Sequence, residues 1–318
     1  MIIQDQQALE SNKNYQYIFT VFTATYNRAY TLPRVYESLK AQTYRDFEWL
    51  IVDDGSTDNT KELVEQWQGE NQFLIRYIYQ QNGGLHIALN RGAREARGEL
   101  FLQLDSDDSC VPEALERLKY YWDVIPLDKR ENFTGVTGLC NDQHGKLVGS
   151  LFPCHPIDAD VLEIRYRFKV TGEKWGFNRT DILRKFPYGE EIRGGYISQN
   201  VIWNKIARQY QTRFVNEVLR IYWTDQPSIM RKASNPGKNA LGERLSLLTI
   251  LNEEIDWLKF APIHFLRTAI HYSRFSFHLN IAITEQVSNI NTVIGKFLWL
   301  LALPLGYILY LKDKNFTK

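Results

Sequence analysis

At 318 residues the chain has room for one large domain or two smaller ones. A formal net charge of +1 gives no argument for a nucleic-acid partner, and 44% hydrophobic residues are ordinary for a globular chain. The three cysteines, Cys110, Cys140 and Cys154, are odd in number and lack metal-ligand spacing, so they read as structural thiols of a reducing compartment.

Residues 1–15 are polar, hold no apolar leader core, and are expected to form a flexible tail. Tyr17 to Thr25 is β-branched and aromatic, a first strand running into Tyr26-Asn27-Arg28. Leu32, Val35, Tyr36 and Leu39 have helical spacing, with Pro33 allowed in the first turn. Phe47 to Val52 is a second strand ending in Asp53-Asp54-Gly55-Ser56-Thr57-Asp58. A helix over Thr60–Trp67 and a strand over Phe73–Tyr79 follow. Asn82-Gly83-Gly84 is a turn, and Leu85–Ala96 a helix with Gly98 beyond its end. His86, in its first turn, reads as a hydrogen-bonded helix residue.

The next strand, Glu99 to Leu104, is mostly apolar and ends in Asp105-Ser106-Asp107-Asp108. An interior strand with acids at its tip needs a positive partner, and a hard divalent cation bridging a diphosphate suits that place. Strands alternating with helices imply a mostly parallel sheet, with both acidic tips on its carboxyl edge, the usual ligand side. No G-x-G-x-x-G follows the first strand and no G-x-x-x-x-G-K-[ST] occurs, which argues against a dinucleotide dehydrogenase and a P-loop.

Beyond a helix over Pro112–Tyr121, Phe133–Leu139 and Lys146–Leu151 are expected to pair as a hairpin-like insertion. Val161 to Phe168, with Arg165, Arg167 and Lys169, is a basic helical segment facing solvent or a diphosphate-linked acceptor. Gly172 to Thr180 reads as a polar loop whose Trp175 and Phe177 would stack on a sugar. After a short helix over Asp181–Phe186, Ser198 looks like an N-cap for a helix through Ile202, Trp203 and Ile206. A strand over Thr212–Trp223 leads to a mobile loop, 226–240, a candidate lid.

From 241 the chain is helical in pattern: Arg244–Phe260, then Ala261–Ile283, with His264, Arg267, His271, Arg274 and His278 on one face. That second helix is a candidate for a membrane interface. Its histidines lack supporting acids, so a metal site is rejected. Phe297 to Leu311 is 15 consecutive uncharged residues between Lys296 and Lys312. It is short for a bilayer core of about 30 Å and holds Pro304 and Gly306, so an in-plane or re-entrant anchor fits better than a span.

Thr23 to Arg28, Gln42 to Glu48, Val52 to Asp58, Asn82-Gly83-Gly84, Asn90-Arg91-Gly92, Ala96 to Glu99 and Asp105 to Asp108, in this order and spacing, resemble the family 2 glycosyltransferases of the GT-A fold. Trp175 to Thr180 and the Trp203 helix resemble the family's acceptor half. The resemblance implies an α/β, Rossmann-like, mostly parallel sheet flanked by helices. That domain would span residues 16–225, with a C-terminal helical, membrane-associating extension over 241–318.

The resemblance further implies that Ala24, Tyr26 and Arg28 contact the base and diphosphate of a nucleotide-sugar, most often a UDP-sugar. Asp54 would accept the nucleobase imide N–H, with Asn82, Gly83 and Ser106 alongside. Asp105 would lie by the ribose and metal, and Asp107 would ligate Mn²⁺ or Mg²⁺. Trp175, Phe177 and Trp203 would meet the acceptor, a glycan or lipid-linked glycan. The reaction would invert the anomeric centre on the cytoplasmic side of a membrane, with the protein peripheral or monotopic. The family's base, a carboxylate four residues before a Trp, corresponds to Gln199. Either Glu190 or Glu191 serves instead, or the chain is slow or silent, or a glutamine replaces a glutamate; the third is preferred because the surrounding pattern is kept. Two other classes stand beside this reading: a sugar-nucleotide nucleotidyltransferase, and a catalytically silent sugar-binding member of a membrane complex.

Overall fold

The computed structural model describes residues 15–190, 197–225 and 236–316. The expected tail (all but residue 15), Glu191 and most of the expected lid loop lie outside the described residues. The chain builds β1 (Tyr17–Thr25), α1 (Leu32–Lys40), β2 (Phe47–Asp53), α2 (Thr60–Glu70), β3 (Leu74–Tyr79), α3 (Leu85–Glu95) and β4 (Gly98–Gln103). Then come β5 (Ser109–Cys110), α4 (Ala114–Asp123), β6 (Phe133–Asp142), β7 (Ile157–Ala159), β8 (Lys174–Arg179), α5 (Thr180–Lys185), α6 (Asn200–Ala207) and β9 (Gln211–Tyr222). The C-terminal part holds α7 (Ala240–Glu253), α8 (Pro262–His278), α9 (Ile283–Ser288) and α10 (Val293–Phe316).

The described strands form one sheet in the order β3-β2-β1-β4-β8-β6-β9-β5, with β7 also on β9. β3, β2, β1 and β4 are parallel, as are β6 and β9; β8 runs antiparallel between β4 and β6. Every residue of β2 is buried, so its apolar run is that of an interior strand covered on both faces. One face carries α1, α2 and α4, where Tyr36 stacks on Trp67 with centroids 4.5 Å apart. The other carries α3, α5 and α6 through Leu89, Ile182 and Ile202. All four apolar positions expected on α1 are buried.

Several sequence expectations change here. The polar loop over 172–180 is strand β8: period-two burial puts Trp175 and Phe177 on the core face, 3% and 1% exposed. Phe177 meets Phe19 and Trp122 edge-on, so it is unavailable to an acceptor. The expected hairpin is reduced to its tip: β6 is a long strand inside the main sheet, and only its last residues pair with the return, Asp142 N donating to Lys146 O (2.8 Å) and Val148 N to Cys140 O (2.9 Å) around the Asn141–Leu147 bridge. The helix expected to reach Phe260 ends at Glu253, and a 3₁₀ turn, Ile255–Lys259, follows.

α10 runs as one helix through Pro304 and packs along α8 around Tyr272, Ala269, Trp299 and Ala302. The basic face expected on α8 is partly spent on that contact. Arg274 donates to both oxygens of Asp313 (2.6 and 2.5 Å), and His278 Nε2 lies 2.8 Å from Asp313 Oδ2. Phe265 of α8 seats the C-terminal helices on the catalytic part, against Leu162, Tyr166 and Ala207.

Candidate active site at the carboxyl edge of the sheet

Parallel pairing of β1, β2 and β4 brings three loops to one edge. The loops after β1 and β2 clasp each other. Asn27, with φ of 51°, accepts through Oδ1 from Thr57 N (2.8 Å), while Ala29 N donates to Asp58 Oδ2 (3.0 Å). Asp53 accepts from Ser56 N (2.7 Å) and Tyr77 OH (2.5 Å), so it caps its own turn. Ala24 is half-buried and Tyr26 is 50% exposed at the rim.

Asp54 has a structural task that sequence reading missed. It is buried, and its carboxylate accepts from Gly83 N (3.0 Å), Gly84 N (2.8 Å) and Gln80 Nε2 (2.7 Å). Asn82 Nδ2 donates to the Asp54 carbonyl (2.8 Å). The acid thus holds the turn entering α3. Three accepted bonds leave it little capacity for a base, short of the four lone-pair sites of a carboxylate.

The three acids after β4 divide their work. Asp108 is buried and ion-paired to Arg220, and it accepts from Trp223 N (2.8 Å). Burial pushes its carboxyl up to about 6, with Arg220 opposing. Arg220, itself buried, also reaches Asp105 Oδ2 at 2.6 Å. Burial works against the Arg220 charge, yet Asp105 and Asp108 hold its pKa above the usual value. Asp107 is only half-buried: Arg28 Nη1 lies 3.0 Å from its Oδ2, and burial raises its carboxyl against the pull of Arg28. Ser106 sits half-buried in the same turn. Arg34 adds a further cation, lying 4.2 Å over the Trp223 ring and 2.9 Å from Asp225 Oδ1.

Beside this acidic turn opens a cleft of about 530 Å³ lined by Gln103, Asp105, Glu173, Gln199 and Trp203, among others. Gln199 directly precedes α6, and Ser198 Oγ accepts from Asn200 N (3.3 Å). Gln199 Nε2 donates to Gln103 Oε1 (3.3 Å), and Gln103 Nε2 donates to Asp105 Oδ1 (2.8 Å). A chain of side-chain amides thus joins the expected base position to the acidic turn. Glu190 is no rival for that position. It accepts from Arg94 (2.8 Å) and Asn90 (2.9 Å) on α3 and does not line the cleft.

Among the described residues no cluster of three or more His, Cys, Asp or Glu side chains is poised to hold a metal ion. The donors at the turn are carboxylates, suited to a hard cation such as Mg²⁺, which binds through one or two carboxylates plus substrate phosphates. The buried Thr25 Oγ1, at the tip of β1, has no hydrogen-bond partner among the described residues.

Known proteins agree with this geometry. The family model described as "Glycosyl transferase family 2" matches residues 20–128. A Campylobacter jejuni protein named GalNAc(5)-diNAcBac-PP-undecaprenol beta-1,3-glucosyltransferase is 25% identical over 242 residues, 74% of each chain. The uncharacterized glycosyltransferase YibD of Escherichia coli is 35% identical over 239 residues, 69% of this chain and 65% of its own. With the uncharacterized glycosyltransferase alr2836 of Nostoc identity is 41%, and the match spans 31% of either chain. Among solved structures, S. aureus TarS 1-349 in complex with UDP-GlcNAc aligns with a TM-score of 0.60 at 20% identity, over 90% of this chain and 79% of that one. The sheet order, the acidic turn after β4 and these matches lead to one assignment: residues 20–128 carry a family 2 glycosyltransferase domain, within a GT-A-type fold.

Proposed function

We propose that this protein transfers a sugar from a nucleotide-sugar, with UDP as the leaving group, to a hydroxyl of a lipid-linked or surface-polysaccharide glycan, inverting the anomeric centre. The observation that carries the reading is the half-open carboxylate of Asp107, faced by Arg28 and opening beside a cleft that holds Gln199 and Trp203. A diphosphate entering there meets Arg28, whose one bond to Asp107 leaves its fork able to turn to a phosphate. Asp105 and Asp107 would hold Mn²⁺ or Mg²⁺, which supplies charge neutralisation on the departing diphosphate. Arg220 keeps Asp105 and Asp108 fixed, and Gln103 sets the rotamer of Asp105. The remaining lone pair of Asp54 is available to a uracil imide.

In the transfer itself the acceptor oxygen bonds to the anomeric carbon, the bond from that carbon to the diphosphate breaks, and the hydroxyl proton leaves to a base. Gln199 can orient that hydroxyl but cannot take its proton. Support for UDP and a polyprenyl acceptor comes from what the TarS complex and the C. jejuni relative are named for. Incubation with a panel of nucleotide-sugars, Mn²⁺ and simple glycoside acceptors is expected to release UDP from one sugar class. Sugar-1-phosphate as the product would instead mean a nucleotidyltransferase, and binding without turnover a silent sugar-binding protein.

The C-terminal helices support a membrane-surface location. At about 1.5 Å per residue, the 24 residues of α10 could cross a bilayer. Yet α10 is packed along α8, which carries Arg267 and Arg274, and it leaves one apolar stripe outward: Phe297, Leu300, Leu301, Leu305 and Ile308. A helix pair with one wet side and one apolar stripe lies in the interface plane. Replacing Phe297, Leu301 and Leu305 together by serine is expected to weaken vesicle binding by more than about 100-fold, since each exposed side chain inserted is worth roughly 1.5–3 kcal/mol. UDP affinity should not change. Undiminished sedimentation of that variant with vesicles would place the anchor elsewhere.

A further inference from the structure

A second cavity, of about 460 Å³, lies where the catalytic part meets the C-terminal helices. Its lining has two chemistries. Arg165, Lys169 and His264 bring nitrogen; Phe260, Pro262 and Ile263 bring apolar surface. Arg165 lies in a π-helical turn, Glu163–Arg167, a rare backbone form that recurs at functional sites. Lys169 has φ of 54°, in the left-handed region that side chains other than glycine rarely adopt.

Among the described residues neither the Arg165 guanidinium nor the Lys169 ammonium is ion-paired, although the buried Glu254 feels the Arg165 charge. Arg165 donates to two amide oxygens, Asn200 Oδ1 (3.1 Å) and Asn204 Oδ1 (3.3 Å). The nearby buried Glu254 is taken up by Tyr166 OH (2.6 Å) and Asn204 Nδ2 (2.5 Å). Tyr166 OH also lies 3.3 Å from His264 Nε2. The cavity is built on the first turn of the 17-residue α8, whose leading N–H groups lack acceptors within the helix and favour an anion.

The surroundings say what kind of anion. Ile263 is 66% exposed, and Leu298 of α10 packs beside Phe265 at the same end of the parallel pair α8 and α10. On the other side, Arg165 also lines the main cleft with Gln199 and Trp203. One guanidinium is therefore common to a sugar-sized cleft and to an anion pocket with an apolar exit.

We propose that this cavity is the subsite for the phosphate of a lipid-linked acceptor, held by Arg165, Lys169 and the start of α8 while its apolar chain passes over Phe260 and Ile263. The glycan end then enters the main cleft past Arg165. The inference rests on the glycosyltransferase reading above and names the acceptor class for the same site.

The test measures binding of farnesyl diphosphate by calorimetry to the full chain, with UDP and Mn²⁺ saturating the donor crevice. Inorganic diphosphate and phosphatidylglycerol vesicles serve as comparisons. Wild type should bind farnesyl diphosphate well above inorganic diphosphate, and Lys169→Glu, at an exposed side chain, should weaken it by about tenfold or more, as loss of a charge-assisted contact does. Arg165→Ala should weaken it further. UDP affinity of Lys169→Glu reports that the variant is folded. Equal binding by wild type and both variants, no binding at all, or equal affinity for inorganic diphosphate would overturn the proposal. Displacement of farnesyl diphosphate by the vesicles would assign the pocket to bilayer headgroups and also overturn it. Should wild type fail to bind UDP while the lipid diphosphate binds, the glycosyltransferase reading fails and the pocket stands.

Discussion

Asp107→Ala is expected to abolish metal-dependent donor binding and to lower transfer by about 10³-fold or more, the scale of losing a preorganised charge contact at a reacting centre. Asp107 is half-buried and held by one cation, Arg28, which a diphosphate can recruit, whereas Asp105 is held by both Arg220 and Gln103. With alanine there, Arg28 remains but the divalent ion loses a ligand. Asp105, tied to Arg220 and Gln103, has little freedom to compensate. Calorimetry of UDP with and without Mn²⁺ checks this. Wild type should gain affinity with Mn²⁺ and the variant should not. If the variant keeps a wild-type response to Mn²⁺, the acidic turn does not hold the metal. Asp108→Ala is a contrasting control. It strips the buried Arg220 of its buried carboxylate and leaves it only Asp105, so it should lower stability as well as binding, whereas Asp107→Ala should leave the urea midpoint close to wild type.

Gln199→Glu is expected to raise turnover by about 10²–10⁴-fold, the usual worth of a general base, with donor affinity nearly unchanged. Gln199 lines the cleft directly before α6, so a carboxylate there lies within reach of an acceptor hydroxyl. Its neighbour Gln103 can turn its amide to donate to the new carboxylate, at the cost of its bond to Asp105. A slight rise in the Mn²⁺ requirement would report that cost. Glu190→Gln should leave turnover unchanged, because Glu190 serves Arg94 and Asn90 outside the cleft. The cleft has another carboxylate, Glu173 at the start of β8. If Gln199→Glu gives no gain and Glu173→Gln stops turnover, the proton leaves through Glu173 instead.

The contrast between these residues shows where sequence reading was sufficient. The first strands and helices, their order and the acidic turn after β4 were legible because each depends on local rules. Leu32, Val35, Tyr36 and Leu39 repeat at helical spacing, β2 holds the apolar run Trp49 to Val52, and acids crowd the tip of a buried strand. The family was legible by resemblance, through the motif series from Thr23 to Asp108 that the family match over residues 20–128 covers. The local rules failed for the segment around Trp175 and Phe177, although Trp175 still borders the cleft. A polar segment with two aromatics has the composition of a sugar-binding loop, but alternation puts both rings on the core face of β8. The hairpin expected after Phe133 is short for a related reason: most of β6 pairs with β8 and β9, strands more than 30 residues away in sequence, and only its end meets its own return.

What the sequence by itself determined is therefore the α/β class, the edge on which the acids stand, and the apolar stripe near the C-terminus. Only the tertiary structure decided which acid faces which cation. Arg220 lies 112 residues from Asp108, and no spacing rule joins them. The same holds for the bonds that turn Asp54 inward, for the amide chain from Gln199 through Gln103 to Asp105, and for Arg165 standing between two cavities. Local periodicity records which face of an element is buried; pairing of charges and amides depends on long-range packing that brings distant side chains within about 3 Å.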